Sequence, residues 1–171
     1  MLAFLATFLI VSQSHSQIAH VGVGYRHNSQ LDCFMGDAAE HYYFSISTSM
    51  SPHGGTYYEN ISYGEARGWG DSEIETRVDL TILYVGYSEM FADLNAELFG
   101  AIGLGSRSEN VTFYDDSRIL SSSGYYSVDK PNSGSLIVDV ELGLIKWIDE
   151  IGIKASYSVR GFWSIGVSHR F

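Results

Sequence analysis

Apolar side chains recur at every second position along most of this chain, with small or charged residues between them. In residues 161–171, Trp163, Ile165, Val167, His169 and Phe171 point one way, and Ser164, Gly166, Ser168 and Arg170 the other, because successive strand side chains face opposite sides of a sheet. The same period predicts strands over residues 19–26, 42–50, 56–64, 76–86, 93–107, 135–145 and 151–160, eight in all. Leu136, Val138, Val140, Leu142 and Leu144 oppose Asp139, Glu141 and Gly143, and Ile151, Ile153, Ala155, Tyr157 and Val159 oppose Lys154, Ser156, Ser158 and Arg160. In residues 76–86 the expectation is Val78, Leu80, Ile82 and Tyr84 on the apolar face against Arg77, Asp79 and Thr81. The least regular segment is 56–64, where Glu59 shares a face with Tyr57, Ile61 and Tyr63, so a bulge or a strand rising above the apolar zone is expected.

Charges opposite an apolar face on strand after strand describe a barrel with lipid outside and a polar lumen within. The fold class expected is all-β, an eight-stranded antiparallel up-and-down transmembrane β-barrel. Connections at residues 52–54, 88–90 and 148–150 read as tight, and those at 27–41, 64–72 and 106–134 as long. If both ends of the barrel chain lie on the periplasmic side, the long connections fall outside the cell. Aromatics then sort to two rims, Tyr84, Phe91, Trp147 and Phe171 on one and Tyr25, Tyr42, Tyr63 and Trp163 on the other. An eight-stranded barrel has an interior that side chains fill. Inward glycines such as Gly22, Gly103 and Gly143 would make room for the large residues opposite.

Residues 2–11 form an apolar run too short to span a bilayer, followed by Ser14-His15-Ser16, a small-x-small cleavage pattern. Residues 1–16 therefore read as a signal peptide and 17–171 as one barrel domain. Beyond the leader no run approaches 18 uninterrupted apolar residues, so no spanning helix is expected. Cys33 is the only cysteine, which leaves no internal disulfide framework and no cysteine-built zinc site. No cofactor or metal is expected.

The net charge is -10. A near-neutral lumen network is expected from Arg26, Glu75, Arg77, Asp79, Glu97, Arg107, Asp139, Glu141, Lys154, Arg160 and Arg170. Ten of the remaining acids, Asp32, Asp37, Glu40, Glu65, Asp71, Glu73, Glu109, Asp115, Asp116 and Asp129, fall in or beside the expected outer loops. An acidic surface argues against nucleic acid as a partner. It reads as a solvated face that aids transit, ahead of a site for divalent cations shared with lipopolysaccharide.

In size, strand count and ending, residues 17–171 resemble the small bacterial outer-membrane barrels of the OmpA transmembrane domain and OmpX type. The outward set Trp163, Ile165, Val167 and Phe171 is similar to the terminal strand that the barrel-assembly machinery recognises in these proteins, with His169 departing from the pattern. The resemblance implies location in the bacterial outer membrane as a monomer, contact with lipid and lipopolysaccharide, and a structural or cell-surface interaction role with an extracellular partner met through loops. It carries no catalytic residues.

Two other readings stay open. His27 and Ser29 match the His-x-Ser spacing of outer-membrane lipid A deacylases, in which His activates the Ser nucleophile and an acid orients it; Glu40 or Glu65 would be the third member. A chain with this much His and Ser supplies about one such pair by chance. The motif here is followed by Gln30 and lies on the first strand, unlike that family's. The other reading is a secreted lipocalin-like barrel, also eight-stranded, with its apolar faces turned inward around a ligand.

Overall fold

The computed structural model describes residues 19–27, 29–49, 55–131 and 134–171. The leader expected at 1–16 and the turn expected at 52–54 lie outside these. The elements are β1 (Ala19–Arg26), β2 (Gln30–Asp37), β3 (Tyr42–Ser49), β4 (Thr56–Tyr57), α1 (Tyr63–Gly68), β5 (Ser72–Phe91), β6 (Ala96–Tyr114), β7 (Tyr125–Asp129), β8 (Ser135–Ile148), β9 (Ile151–Ser158) and β10 (Trp163–Arg170). Eight of the strands, β1, β2, β3, β5, β6, β8, β9 and β10, close into an antiparallel barrel. Closure comes from pairing of β1 with β10 and of β6 with β8.

The count of eight is as expected, but one member differs. Residues 27–41, expected as a long loop, contain β2, paired along its whole length with β1 and β3. Its alternation was present, with Leu31, Cys33 and Met35 outward and Gln30, Asp32, Phe34 and Gly36 inward, but a lumenal Phe and weakly apolar outer residues blur it. Residues 56–64, expected as a strand, hold only the two residues of β4 before the chain enters α1. Ser62 starts that helix with a capping box: its side chain accepts from the Glu65 N–H, and the Glu65 carboxylate accepts from the Ser62 N–H at 2.8 Å. Four residues, Ser62-Tyr63-Gly64-Glu65, spell that signal.

These changes reverse part of the expected topology. β3 runs opposite to the expected direction, so Tyr42 and Glu40 lie at the end of the barrel shared with Ala19 and Arg170, which we call the terminal end. Connections there are short, at residues 38–41, 92–95 and 149–150. The far end carries short turns at 27–29 and 159–162 and two long connections, at 50–71 and 115–134.

The facing of β5 also differs from expectation over its barrel portion. Leu80, Ile82 and Tyr84 are buried in the lumen, whereas Thr81, Leu83, Val85 and Tyr87 are exposed outside. Both faces of this stretch are apolar, so the period does not say which is outer. Trp147, expected with Tyr84 on a rim, is likewise buried inside. Around the rest of the barrel the outward set is the expected one, including Val23, Ile46, Leu98, Ile102, Leu142, Ile153 and Ile165.

β5 and β6 are far longer than their neighbours. They pair from Phe91↔Ala96 to Ser72↔Tyr114, while β3 follows β5 only to Thr81 and β8 follows β6 only to Arg107. Beyond those points the two strands leave the barrel as a blade, widened by β7 on β6 and by β4, parallel, on β7. One face of the blade has a core of its own, in which Ala66 of α1 packs with Val111, Phe113, Tyr126 and Val128. Burying each larger apolar side chain there contributes about 1.5–3 kcal/mol, which ties the long connections down.

Candidate functional site

The lumen is filled by a charged cluster set among aromatic rings. Arg26 enters from β1, Asp32 from β2, Glu141 from β8 and Lys154 from β9, and all four are fully buried. Lys154 Nζ lies 2.6 Å from Asp32 Oδ2 and 3.2 Å from Glu141 Oε1. Arg26 Nη2 lies 2.7 Å from Glu141 Oε2 and 3.8 Å from Asp32 Oδ1, so each cation touches both carboxylates. Ser45 donates to Asp32 Oδ1 at 2.9 Å, and Ser156 donates to Glu141. Arg26 also donates to the Tyr84 hydroxyl at 3.0 Å, which in turn donates a hydrogen bond to Asp139 at 2.8 Å.

Aromatic faces complete the solvation of these cations. Lys154 Nζ sits 4.5 Å from the Phe34 ring centre, 5.3 Å from that of Phe99 and 5.4 Å from that of Tyr43. Tyr43 and Phe99 stack at 3.9 Å. Phe34 fits only because Gly22 and Gly166 lie beside it, and Phe99 only because Gly143 does; a Cβ at any of these would collide with the ring. The cluster is therefore a plug in which each cation meets both carboxylates, although Arg26 Nε has no hydrogen-bond partner among the described residues.

Of the residues expected in the lumen network, Arg26, Glu97, Asp139, Glu141 and Lys154 lie buried inside. Glu97 belongs to a separate layer toward the terminal end, 3.1 Å from His20 Nε2. Glu75 and Arg77 lie instead on the blade and Arg107 at the far rim of the barrel, in the partly exposed pairs Arg77–Glu75 at 2.8 Å and Arg107–Glu109 at 2.7 Å. Asp79 accepts from Asn110. Arg160 and Arg170 are at the barrel ends, donating to the Val138 and Asp149 carbonyls. The reading failed there because alternation continues past the point where a strand leaves the barrel. Asp32 was missed because β2 was. Trp163, Ile165, Val167 and Phe171 all project outward from the last strand.

Loop acidity is correspondingly redistributed. Asp32 and Asp37 are buried in β2 and Glu40 is at the terminal end, while Glu65, Asp71, Glu73, Glu109, Asp115, Asp116 and Asp129 belong to the blade and its loops. Several are built into that structure. Asp115 accepts from the Ser117 hydroxyl and from the N–H groups of Ser117, Ile119 and Leu120, which holds its carboxyl below the usual range. Asp129 accepts from Tyr57 at 2.8 Å, and burial together with that carboxylate pushes the phenol up to about 12. Among the described residues, no three His, Cys, Asp or Glu side chains group as metal ligands.

His27 and Ser29 sit in the turn between β1 and β2. The His27 ring lies 5.9 Å from that of Trp163, and the Ser29 N–H donates to the Tyr25 hydroxyl at 3.2 Å. Neither expected third member is with them: Glu40 is at the opposite end of the barrel, and the Glu65 carboxylate is engaged by Ser62 at 2.7 Å. Compared with protein-family models, with curated proteins and with solved structures, the chain matches none.

Proposed function

We propose that this chain is an integral barrel of the bacterial outer membrane, of the OmpX-like kind, that holds an acidic blade at the cell surface for a structural or partner-binding role. One observation carries the reading: the barrel wears its apolar residues outside and its charges inside. Val85 is 59% exposed, Ile102 65% and Leu142 66%, and comparable residues ring the barrel. Soluble monomers rarely expose an apolar surface that continuous, whereas lipid requires it. Polar ends and closed strand pairing meet the other demand of a bilayer, that no backbone group in its core lacks a partner.

The lumen plug argues for an anchor in preference to a diffusion pore, and its buried ions argue against an apolar ligand cavity of the lipocalin kind. Enzymatic deacylation is not favoured, since neither Glu40 nor Glu65 stands beside His27 and Ser29. The blade is the element free to meet a partner, and lipid, lipopolysaccharide and the barrel-assembly machinery are the expected contacts of the rest.

The test is migration of the protein from outer-membrane fractions on detergent gels. A faster band unboiled than boiled, in the outer-membrane fraction, is expected. Recovery as a soluble protein with no heat-dependent shift would refute the reading. Mass spectrometry of lipid A, with and without the chain, should give the same acyl pattern; loss of an acyl chain dependent on His27 and Ser29 would make the chain an enzyme.

A further inference from the structure

A carboxylate, Glu89, stands on the outer wall of β5 toward the terminal end. It lies between Tyr87 and Phe91 on its own strand and level with Leu98 of β6 and Leu144 of β8. All four of these neighbours are exposed on that wall. The carboxylate is held in place: its Oε2 accepts from the Tyr87 hydroxyl at 2.5 Å and lies 3.2 Å from His41 Nδ1. His41 ends the turn before β3 in the left-handed region, at φ 58°, and its ring stacks on that of Tyr87 with centres 5.1 Å apart. Nδ1 also faces the Ser88 carbonyl at 3.3 Å; with acceptors alone before it, that nitrogen carries a proton and donates. Asp37 fixes the turn, its Oδ1 accepting from the N–H groups of Ala39 and Glu40 at 2.9 and 3.3 Å.

Both contacts fall on Oε2, and the side chain is 44% exposed. Among the described residues, no Lys or Arg pairs with this carboxylate. A looser set recurs on the opposite side of the same rim, where His169 Nε2 lies 3.6 Å from Glu150 and the His169 ring 5.0 Å from that of Phe171. A charge on a lipid-facing wall is tolerable only near the headgroups, and there its counter-ion has to come from the lipid. Anionic headgroups would be repelled, and a quaternary ammonium has no N–H to give. A primary ammonium supplies both the charge and the donors of a charge-assisted hydrogen bond.

We propose that Glu89 binds the primary ammonium of an ethanolamine phospholipid in the leaflet at the terminal end, with Tyr87, Phe91 and Leu98 beside the upper part of the lipid. His41 is a positioning residue, which keeps the carboxylate turned along the wall. The site rests on the outer-membrane reading above.

The test is nuclear magnetic resonance on the full 13C,15N-labelled protein in phosphatidylcholine bicelles, doped with increasing phosphatidylethanolamine or, separately, phosphatidylglycerol. The Glu89 carboxyl carbon and the amides of Tyr87, Glu89 and Phe91 should shift saturably with the ethanolamine lipid alone. In Glu89→Gln the half-saturating fraction should rise about tenfold or more, the worth of a hydrogen bond to a charged group. In His41→Phe, which keeps a ring for Tyr87 to stack on, it should rise less while the shifts persist. Equal responses to the two lipids, or a saturable ethanolamine response unchanged in Glu89→Gln, would overturn the site and leave the barrel reading intact. A chain that does not enter the bicelles would refute both.

Discussion

Replacing Lys154 by Met should destabilise the barrel by about 3–5 kcal/mol, the cost of leaving a buried charge without its partner. At an effective dielectric near 20, the ammonium at 2.6 Å from Asp32 and 3.2 Å from Glu141 gains roughly 6 and 5 kcal/mol of Coulomb energy. Desolvation of three ions offsets most of this. After the substitution Glu141 keeps Arg26 at 2.7 Å, but Asp32 is left with Ser45 and with Arg26 at 3.8 Å. The loss thus falls mainly on Asp32. Asp32→Asn in the same chain removes the stranded charge, so the double variant should be more stable than the sum of the single effects implies, by about 1–3 kcal/mol. Reversible urea unfolding in lipid, followed by tryptophan fluorescence, measures all four corners of the cycle. Additive effects, or a Lys154→Met loss below about 1 kcal/mol, would mean that the plug is solvated and the lumen wet.

Three further outcomes are expected. Val85→Arg should cost about 2–4 kcal/mol if that exposed residue faces the bilayer midplane, whereas Ile74→Arg, similarly exposed on the blade, should stay within about 0.5 kcal/mol; equal costs on refolding into lipid would place the membrane elsewhere. Phe113→Ala removes a fully buried ring from the blade core and should cost that unit about 3–5 kcal/mol, read as new protease cleavage in residues 55–71 and 115–131 while the barrel stays resistant; uniform protection would show that α1 does not depend on that core. The Asp115 carboxyl is lowered by its Ser117 hydrogen bond and by loop N–H groups, so its contribution is present above the ordinary carboxylate range, near 3.8, and fades as pH falls through the lower folded value. Amide protection factors at Ser117, Ile119 and Leu120, each taken against the intrinsic rate at its pH, should therefore fall in acid and in Asp115→Asn at neutral pH; protection unchanged in both would refute that role.

Much of the barrel was written locally. A two-residue period with charges on one side marked seven of the eight barrel strands and, on most of them, which residues face out, because alternate positions of a closed sheet face its lumen and its outside; β2 was missed, and 56–64 stood in its place in the count. Tertiary structure decided the rest where the local signal was degenerate or its context had changed. On β5 both faces are apolar, and only pairing with β3 and β6 turns Leu80, Ile82 and Tyr84 inward. Glu75 and Arg77 alternate as lumenal residues would, yet β5 has left the barrel there, since alternation records the pleat and not the environment. Asp32 became a lumen ligand of Lys154, 122 positions away in sequence, through closure of β1 against β10. An ion pair formed by closure has no counterpart in local spacing, so which of the lumen charges meet is decided by the fold alone.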